Sequence, residues 1–534
     1  MTTSNLLEAL TDNIVIDKDK CTFCGICVDT CVLDNLRMKL APCRRACPLG
    51  VNCQGYVQLI ARGEDEKARE ILRETLPFPG ILAYICSQPC ESNCFRKNVD
   101  GEAVAVRALK KYLVETDPRK ESPLPEIAPE SGKTVAIVGS GPAGLIAAYD
   151  LRLKGHAVVV YEAESEPGGM LRWAIPEFRL PGGVLAREIG ILEKMGVEFK
   201  CSAKIGKDIE KDRIVNDSDA TIIAAGCGSH AKLGIEREDL RGVYHGLPLL
   251  KSVRRGEAPR LSGRTVVVGG GNVAVDSAQT ALRLGAESVT VFSLENECDL
   301  PAFPDAVAGA LREGVKFDCA WGPVGIVERD GQVTGVEFRK CTSIFDDQGR
   351  FNPSFDPNQF KSVGTDSVII AIGQLPDRTC TSGNDPVAEC DPLTLGKSDE
   401  KVFIAGDFHS GPSSVVEAMA SGRKAAESVD KLLRGEHLRY GRSYAGPVET
   451  QFDIDTSNAS PDKRTLVPQR VFSGKGDFAP IEKIFDEKNA RREAGRCLSC
   501  GQPFGKYRTC WFCLPCEVEC PHDALWVEIP YLMR

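Results

Sequence analysis

Short apolar runs alternate with helix-like segments along the middle of the chain, from Thr134 to about Leu438. The runs TVAIV, AVVVY and TVVV are continuous rather than alternating, which is typical of strands buried on both faces of a parallel sheet. Each run is followed by a glycine turn or by an amphipathic stretch of helical length. The pattern therefore predicts an α/β fold built on doubly wound parallel sheets.

The flanking regions follow different patterns. Up to about residue 128, segments such as EDEKAREILRETL repeat apolar positions with helical spacing, so we expect helices there. Residues 117–133 are rich in proline and charge and predict a linker. The four prolines between residues 441 and 490 predict an extended connection, and EKNARREAGR predicts a short helix after it.

Sixteen of the 23 cysteines lie near the two ends of the chain. Cys21, Cys24, Cys27 and Cys31 follow the spacing of bacterial ferredoxins, and Cys510, Cys513, Cys516 and Cys520 repeat it before a proline. Structural zinc normally takes two C-x2-C pairs that are separated by a spacer, which is a different pattern. The two runs therefore predict [4Fe-4S] clusters at both termini.

Thr134–Val138 predicts a buried strand that runs into Gly139-x-Gly141-x-x-Gly144 and a helix. A second strand, AVVVYE, ends at Glu162, whose carboxylate can accept hydrogen bonds from ribose hydroxyls. The glycines let a pyrophosphate approach the helix N-terminus, where free N–H groups favour an anion. This complete strand–turn–helix–strand–acid unit is strong support for a dinucleotide site.

RTVVVGGGNVAVD starts a second unit of the same kind, with Gly269, Gly271 and Ala274 at the motif positions. Strand Ser288–Phe292 follows, and after it come Ser293, Leu294 and Glu295. A carboxylate repels the 2′-phosphate of NADPH and accepts from the free ribose hydroxyls of NADH. We therefore expect NAD(H) at this site, with the alternative that Glu295 only faces solvent.

Composition narrows the classes of function. A formal net charge of −9 argues against nucleic acid as a partner. The first twenty residues show no signal-peptide pattern, and no apolar stretch approaches the roughly 18 residues of a membrane span. We expect a cytoplasmic protein, in which clustered thiols are metal ligands and not disulfides.

Six motifs of the chain, in this order, resemble the small subunit of bacterial glutamate synthase and the N-terminal half of dihydropyrimidine dehydrogenase. They are APCRRACPLG, ICSQPCESNC, VAIVGSGPAGL, GGMLRWAIPEFRLP, GGGNVAVD and AGDFHSGPSSVVEAMASGR. The resemblance covers residues 41 to 438 and implies two nested Rossmann-like domains of a two-dinucleotide flavoprotein. In that family Asp407 contacts the ribityl chain of FAD, so the first site is assigned to FAD. The nucleotide-binding residues are then Gly139, Gly141, Pro142, Ala143, Gly144, Glu162, Gly169, Leu171, Arg179, Gly373, Gly406, Asp407, Ser414 and Val415 for FAD, and Gly269, Gly271, Asn272, Val273, Ala274 and Glu295 for NAD(H).

The resemblance also implies an N-terminal domain with two [4Fe-4S] clusters. The family's RCLxC pair is missing before Cys43, but EAGRCLSC places Cys497 and Cys500 at the other end of the chain. We therefore expect one cluster at Cys43, Cys94, Cys497 and Cys500. A second would take Cys47, Cys86 and Cys90; the family's fourth ligand is a non-cysteine side chain near position 110, where Lys110 is a poor candidate, so Cys53 is expected instead.

In two-cluster ferredoxins the fourth cysteine of each run serves the other cluster. That rule groups Cys21, Cys24 and Cys27 with Cys520, and groups Cys510, Cys513 and Cys516 with Cys31. The alternative is that each end is self-contained. The expected boundaries are 1–40 and 491–534 for the ferredoxin-like [4Fe-4S] segments, 41–128 for the helical iron–sulfur domain, 129–260 and 366–440 for the FAD domain, 261–365 for the NAD(H) domain, and 441–490 for the linker.

These expectations describe an electron-transfer subunit that passes electrons between NADH, FAD and about four [4Fe-4S] clusters, to or from a catalytic partner subunit or a ferredoxin. Hydride transfer needs no protein acid or base, so no catalytic side chain is assigned. Two alternatives stay open: a glutamate synthase small subunit proper, which uses NADPH, and a flavoprotein whose terminal cysteines bind zinc as interaction modules.

Overall fold

The computed structural model describes residues 14–17, 20–32, 36–119, 123–380, 390–396, 401–442, 446–505, 510 and 513–528. The chain divides into two compact units. One contains residues 1–122, 439–468 and 482–534, and the other contains residues 123–438 and 469–481. The cysteine-rich ends thus belong to one unit and the nucleotide motifs to the other.

The N-terminal part of the first unit is helical, as the periodicity predicted. Its elements are β1 (Ile14–Ile16), α1 (Ile26–Asp29), β2 (Leu36–Lys39), α2 (Pro42–Ala46), α3 (Cys53–Arg62), α4 (Asp65–Thr75), α5 (Pro79–Ile85), α6 (Pro89–Ser92), α7 (Lys97–Asp100) and α8 (Val106–Glu115). The longer helices α3, α4 and α8 bury one apolar face each, including Tyr56, Ile71 and Leu109. This shared core holds the helices together, because none is long enough to be stable alone.

The second unit contains the alternating pattern. Its strands are β3 (Thr134–Val138), β4 (Ala157–Tyr161), β5 (Glu198–Lys200), β6 (Ala220–Ile223), β7 (Ser229–His230), β8 (Val243–His245), β9 (Arg264–Val268), β10 (Ser288–Ser293), β11 (Lys316–Cys319), β12 (Trp321–Arg329), β13 (Gln332–Phe345), β14 (Phe351–Gly364), β15 (Ser367–Ile370), β16 (Gln374–Leu375) and β17 (Val402–Ile404). Its helices are α9 (Pro142–Leu153), α10 (Met170–Trp173), α11 (Gly182–Lys194), α12 (Lys211–Asn216), α13 (Gly246–Arg254), α14 (Asn272–Leu284), α15 (Pro304–Arg312), α16 (Asp407–Ser410) and α17 (Val415–Leu433).

Two five-stranded sheets form the centre of this unit, in the orders β17-β6-β3-β4-β5 and β11-β10-β9-β15-β8. All the pairings within them are parallel, with Val135 opposite Val158 in the first sheet and Val266 opposite Thr290 in the second. The central strands are buried almost throughout, which explains their continuous apolar sequences. The α/β prediction with two parallel sheets is confirmed, and β12, β13 and β14 add a separate antiparallel sheet.

The C-terminal part returns to the first unit with β18 (Val448–Glu449), α18 (Glu487–Ala494), β19 (Gln502–Gly505), α19 (Pro515–Val518) and β20 (Leu525–Val527). Strand β20 pairs antiparallel with β1, so that Ile14 lies opposite Val527 and Ile16 opposite Leu525. Strands β18 and β19 flank β2 on its two sides. The two ends of the chain therefore fold as one body.

Candidate redox sites

The first glycine loop lies between β3 and α9. Gly139 has a φ of +102°, and a Cβ there would collide with the carbonyl oxygen of Ala224. A Cβ on Gly144 would collide with the carbonyl oxygen of Gly139, so both glycines are needed for close packing of the loop. A Cβ on Gly141 meets nothing within 4 Å. Gly141 thus leaves open space next to the N-terminus of α9, where a pyrophosphate can lie.

Glu162 follows β4 directly and is buried against this loop. Its Oε2 accepts a hydrogen bond from the backbone N–H of Ser140 at 3.0 Å and another from the Ser140 hydroxyl. Its Oε1 accepts from the backbone N–H of Glu164 at 2.9 Å. The carboxylate is therefore held at the edge of the glycine loop, as a ribose-binding acid must be.

The downstream FAD motif packs onto the same loop. A Cβ on Gly422 of α17 would collide with the carbonyl oxygen of Ala143, so α17 crosses α9 at a close backbone approach. A Cβ on Gly406 would lie 2.8 Å from the Cβ of Ala143. The two halves of the motif, which are more than 250 residues apart in sequence, therefore form one site around the start of α9.

The N-terminus of α17 is well defined. Ser414 is the N-cap and forms a reciprocal capping box with Glu417. Asp407 accepts hydrogen bonds from the Ser413 hydroxyl at 2.6 Å and the Ser413 backbone N–H at 3.2 Å. Burial raises the pKa of the Asp407 carboxyl. The first helical residue after the Ser414 cap is Val415.

Four further predicted FAD residues lie at different positions. A Cβ on Gly169 would lie 2.8 Å from the Cα of Gly141, so the GGML segment packs on the glycine loop, and Leu171 beside it is buried. Gly373 follows β15. The Arg179 guanidinium donates to Asp276 and Gln279 of α14, so its predicted role at FAD remains a prediction.

The second glycine loop repeats the geometry of the first one. Gly269 has a φ of +134°, and a Cβ there would collide with the carbonyl oxygen of Ala371. A Cβ on Gly271 meets nothing within 4 Å. Asn272 begins α14, and its Oδ1 accepts from the backbone N–H of Phe303 at 3.0 Å. Val273 and Ala274 complete the first turn of the helix.

Glu295 lies beside this loop, two residues after the end of β10. A Cβ on Gly270 would lie only 2.5 Å from its Oε2. Gly270 and Ser140 are the middle residues of the two loops, so Glu295 and Glu162 each lie next to the middle of a glycine loop. The strand register places Ser293, not Glu295, at the position that corresponds to Glu162. The Ser293 hydroxyl donates to the carbonyl oxygen of Glu295 at 3.0 Å and helps to hold this turn.

The thiols of the two chain ends meet in the first unit. One cavity is lined by Cys21, Cys24, Cys27 and Cys520, together with Ile16, Pro521 and His522. The thiol of Cys516 interacts electrostatically with those of Cys31, Cys510 and Cys513. The structure thus brings the first three cysteines of each run together with the last cysteine of the other run. The pairing of β1 with β20 joins the N-terminal and C-terminal segments beside these cysteines.

A second cavity is lined by Cys43, Cys94, Cys497 and Cys500, with Cys53 on its wall. Cys47, Cys86 and Cys90 form a further group around the ammonium of Lys110. The Cys53 thiol interacts with the thiols of both Cys43 and Cys90 and so lies near both groups. The resemblance placed a ligand of this group near position 110, but no sequence pattern indicated that the lysine there would be buried.

A buried polar network fixes the segment that carries Cys497 and Cys500. Glu493 and Arg496 are completely buried and pair with each other at 2.9 Å. The Glu493 carboxylate also accepts from the backbone N–H groups of Ala105 and Thr465, at 2.8 and 2.6 Å. Arg496 donates to the carbonyl oxygen of Ala103 at 3.0 Å. The REAGRC sequence, in which an acid and an arginine precede a cysteine, was the available signal for this contact.

Burial raises the pKa of Cys21 to about 11 and that of Cys27 and Cys500 to about 12. Such thiols ionise only when a metal displaces the proton, which is how clusters bind. In the part of the chain that the structure describes, no three His, Cys, Asp or Glu side chains converge as ligands of a single metal ion. The thiols line cavities instead, and this arrangement suits a multi-atom cluster.

No helix among the described residues is long and apolar enough to cross a membrane.

The two glycine loops and the cysteine cavities define the class of the protein as a pyridine-nucleotide oxidoreductase with an FAD-binding part and an iron–sulfur domain. A family model described as pyridine nucleotide-disulphide oxidoreductase matches residues 133–422. A model described as dihydropyrimidine dehydrogenase domain II, 4Fe-4S cluster, matches residues 31–122. The chain belongs to the family that contains the glutamate synthase small subunit, which confirms the resemblance of the motifs.

Three relatives illustrate this membership. The NADP(+)-dependent formate dehydrogenase subunit beta of Moorella thermoacetica is 34% identical over 86% of this chain and 70% of its own length. The NADPH-Fe(3+) oxidoreductase subunit beta of Geobacter sulfurreducens is 33% identical over 86% and 75%. The glutamate synthase [NADPH] small chain of Escherichia coli is 32% identical over 73% and 88%. All three are described as subunits or chains of larger enzymes.

Proposed function

We propose that this chain is the NAD(H)-reactive electron-transfer subunit of a larger cytoplasmic oxidoreductase. The observation that carries the proposal is the separation of the two kinds of motif: one unit contains the two dinucleotide loops, and the other contains the sixteen cysteines of the chain ends, some of which line two cavities. Bound FAD would supply the conversion of a two-electron hydride into single electrons. The chain's own residues bind and orient the nucleotides and hold the acceptor clusters.

The thiol groups support four four-cysteine ligand sets. These are Cys21, Cys24, Cys27 and Cys520; Cys31, Cys510, Cys513 and Cys516; Cys43, Cys94, Cys497 and Cys500; and Cys47, Cys53, Cys86 and Cys90. The first two sets make a ferredoxin-like module from both termini, and β1 pairs with β20 beside it. Cys53 interacts with the thiols of two sets, and we assign it to the set of Cys47, Cys86 and Cys90.

NADH is the proposed nicotinamide, although the three relatives are named for NADP(+) or NADPH. The reason is Glu295, whose carboxylate lies against the middle residue of the second glycine loop, as the carboxylate of Glu162 does at the first loop. A 2′-phosphate would be repelled there, whereas two ribose hydroxyls would be accepted. The subunit nature of the relatives supports a partner, either a catalytic subunit or a ferredoxin.

The experiment compares the wild type with Gly271→Val in anaerobic reduction followed by absorbance and EPR. Gly271 has an extended conformation and empty space at its Cβ, so the variant should fold and keep FAD and iron. We expect NADH to reduce flavin and clusters in the wild type but not in the variant, while dithionite reduces both. Equal reduction of the variant by NADH would refute the second nucleotide site. A wild type that contains zinc without acid-labile sulfide would refute the electron-transfer role.

A further inference from the structure

Helix α8 places two consecutive lysines in the interior of the first unit. Lys110 is 5% exposed and Lys111 is 2% exposed. Lys111 has the usual arrangement of a buried cation: its Nζ donates to the Glu482 carboxylate at 3.1 Å and to the Glu482 carbonyl oxygen at 2.8 Å. Lys110 has a different environment, because α8 packs against α5, whose C-cap residue is Cys86, and against α6, which contains Cys90. Its electrostatic partners are the thiols of Cys86, Cys90, Cys53 and Cys47.

None of the ion pairs found among the described residues involves Lys110, and the strongest electrostatic partners of its ammonium are all thiols. A buried ammonium without a compensating anion costs several kcal/mol, so proteins almost always pair it. Its neighbours are neutral thiols until they bind a metal, when they become thiolates. The counter-anion of Lys110 is therefore the cluster that these cysteines hold.

We propose that Lys110 is the built-in counter-cation of the cluster bound by Cys47, Cys86 and Cys90, and that it raises the reduction potential of that cluster above the value its ligands alone would give. This inference rests on the proposed function. Reduction adds one electron, donated by NADH through the flavin, and makes the cluster more negative by one charge. A fixed positive charge beside it stabilises the reduced form more than the oxidised form, and net charge is one of the factors that set such potentials.

The location of Lys110 also bears on which residue is the fourth ligand of this cluster. Lys110 occupies the region where the family places a non-cysteine ligand, and the Cys53 thiol interacts with that of Cys90. With Cys53 as the fourth ligand, Lys110 is free to act through charge alone. The cluster would then have four thiolate ligands and one buried lysine beside it. We assign such a lysine to none of the other three clusters.

The test is an EPR-monitored potentiometric titration of the full-length, cluster-loaded protein. Lys110→Met removes the charge and keeps most of the volume. Lys110→Gln is a second neutral variant in case the first one fails to fold, and Lys110→Arg keeps the charge. Lys111→Met is the matched control, because Arg107 still pairs with Glu482 at 2.6 Å when Lys111 is lost.

We expect the neutral variants to hold as much iron as the wild type. At a given potential the reduced-to-oxidised ratio of one cluster should fall at least tenfold, a shift of 59 mV for a one-electron couple. The reduction potentials of the other three clusters should stay unchanged, so these clusters serve as internal references. Lys110→Arg should restore most of the wild-type value, and Lys111→Met should leave all four potentials unchanged.

Two results would overturn the inference. One is an unchanged set of four potentials in the neutral variants. The other is a three-iron EPR signal in Lys110→Met that is absent from Cys53→Ala, since this would make Lys110 a ligand and not a counter-cation. Failure of the proposed function would be recognised separately, from the wild type alone. The wild-type protein would then not contain the expected iron, about 16 Fe per chain.

Discussion

Replacement of Glu295 tests the choice of nicotinamide cofactor most directly. Its Oε2 is 2.5 Å from the position of a Cβ on Gly270, so the 2′-phosphate of NADPH would lie within roughly 5 Å of the carboxylate. At an effective dielectric constant of about 20, each pair of like unit charges at that distance repels by about 3 kcal/mol. Glu295 is half-buried, and solvent screening reduces this to about 1–2 kcal/mol.

A difference of 1.4 kcal/mol is a factor of ten, so NADH should reduce the flavin at least tenfold more efficiently than NADPH. Stopped-flow flavin absorbance with both nucleotides gives the ratio. Glu295→Gln should bring the ratio close to one, and changing both Leu294 and Glu295 to Arg should favour NADPH. Glu297→Gln removes a nearby exposed charge and should leave the ratio unchanged. Equal or faster reduction of the wild type by NADPH would refute the role assigned to Glu295.

Three further predictions concern the other sites. The Cys21→Ala/Cys520→Ala double variant should lose one cluster, about 4 Fe per chain, whereas Cys510→Ala/Cys520→Ala should lose two; iron counts in the reverse order would show that each terminus is self-contained. Gly141→Val should fill the open space of the first loop, so the protein should purify with its iron but without FAD, and near-stoichiometric flavin would contradict the assignment. Gly422→Ala should lower the free energy of unfolding by about 1–3 kcal/mol, because the new methyl group would collide with the carbonyl oxygen of Ala143. In the control variant Gly309→Ala on α15, the new methyl group has no contact closer than 3.9 Å, so this change should raise the free energy of unfolding by up to about 1 kcal/mol. Thermal denaturation of both variants measures the two effects.

Local sequence determined the elements of the nucleotide sites. The predicted strand Thr134–Val138 has the bounds of β3, and the predicted strand Ser288–Phe292 is one residue shorter than β10. These agree because a buried parallel strand needs continuous apolar residues and a phosphate loop needs glycine at fixed steps, and both requirements act over a few neighbouring residues. The ferredoxin spacing of the cysteines is local in the same way.

Tertiary structure decided contacts that no local pattern encodes. Arg179 is expected at FAD, which stays a prediction, and the fold pairs its guanidinium with Asp276 and Gln279. The resemblance placed position 110 beside the second cluster, and the packing of α8 shows that Lys110 is buried there and interacts with the thiols of Cys86 and Cys90. Cys497 reaches the cavity of Cys43 because Glu493 and Arg496 are buried against Ala103 and Ala105, almost 400 residues away. Sequence spacing specifies what a segment can bind, whereas burial and hydrogen bonding over the whole chain specify which segments bind together.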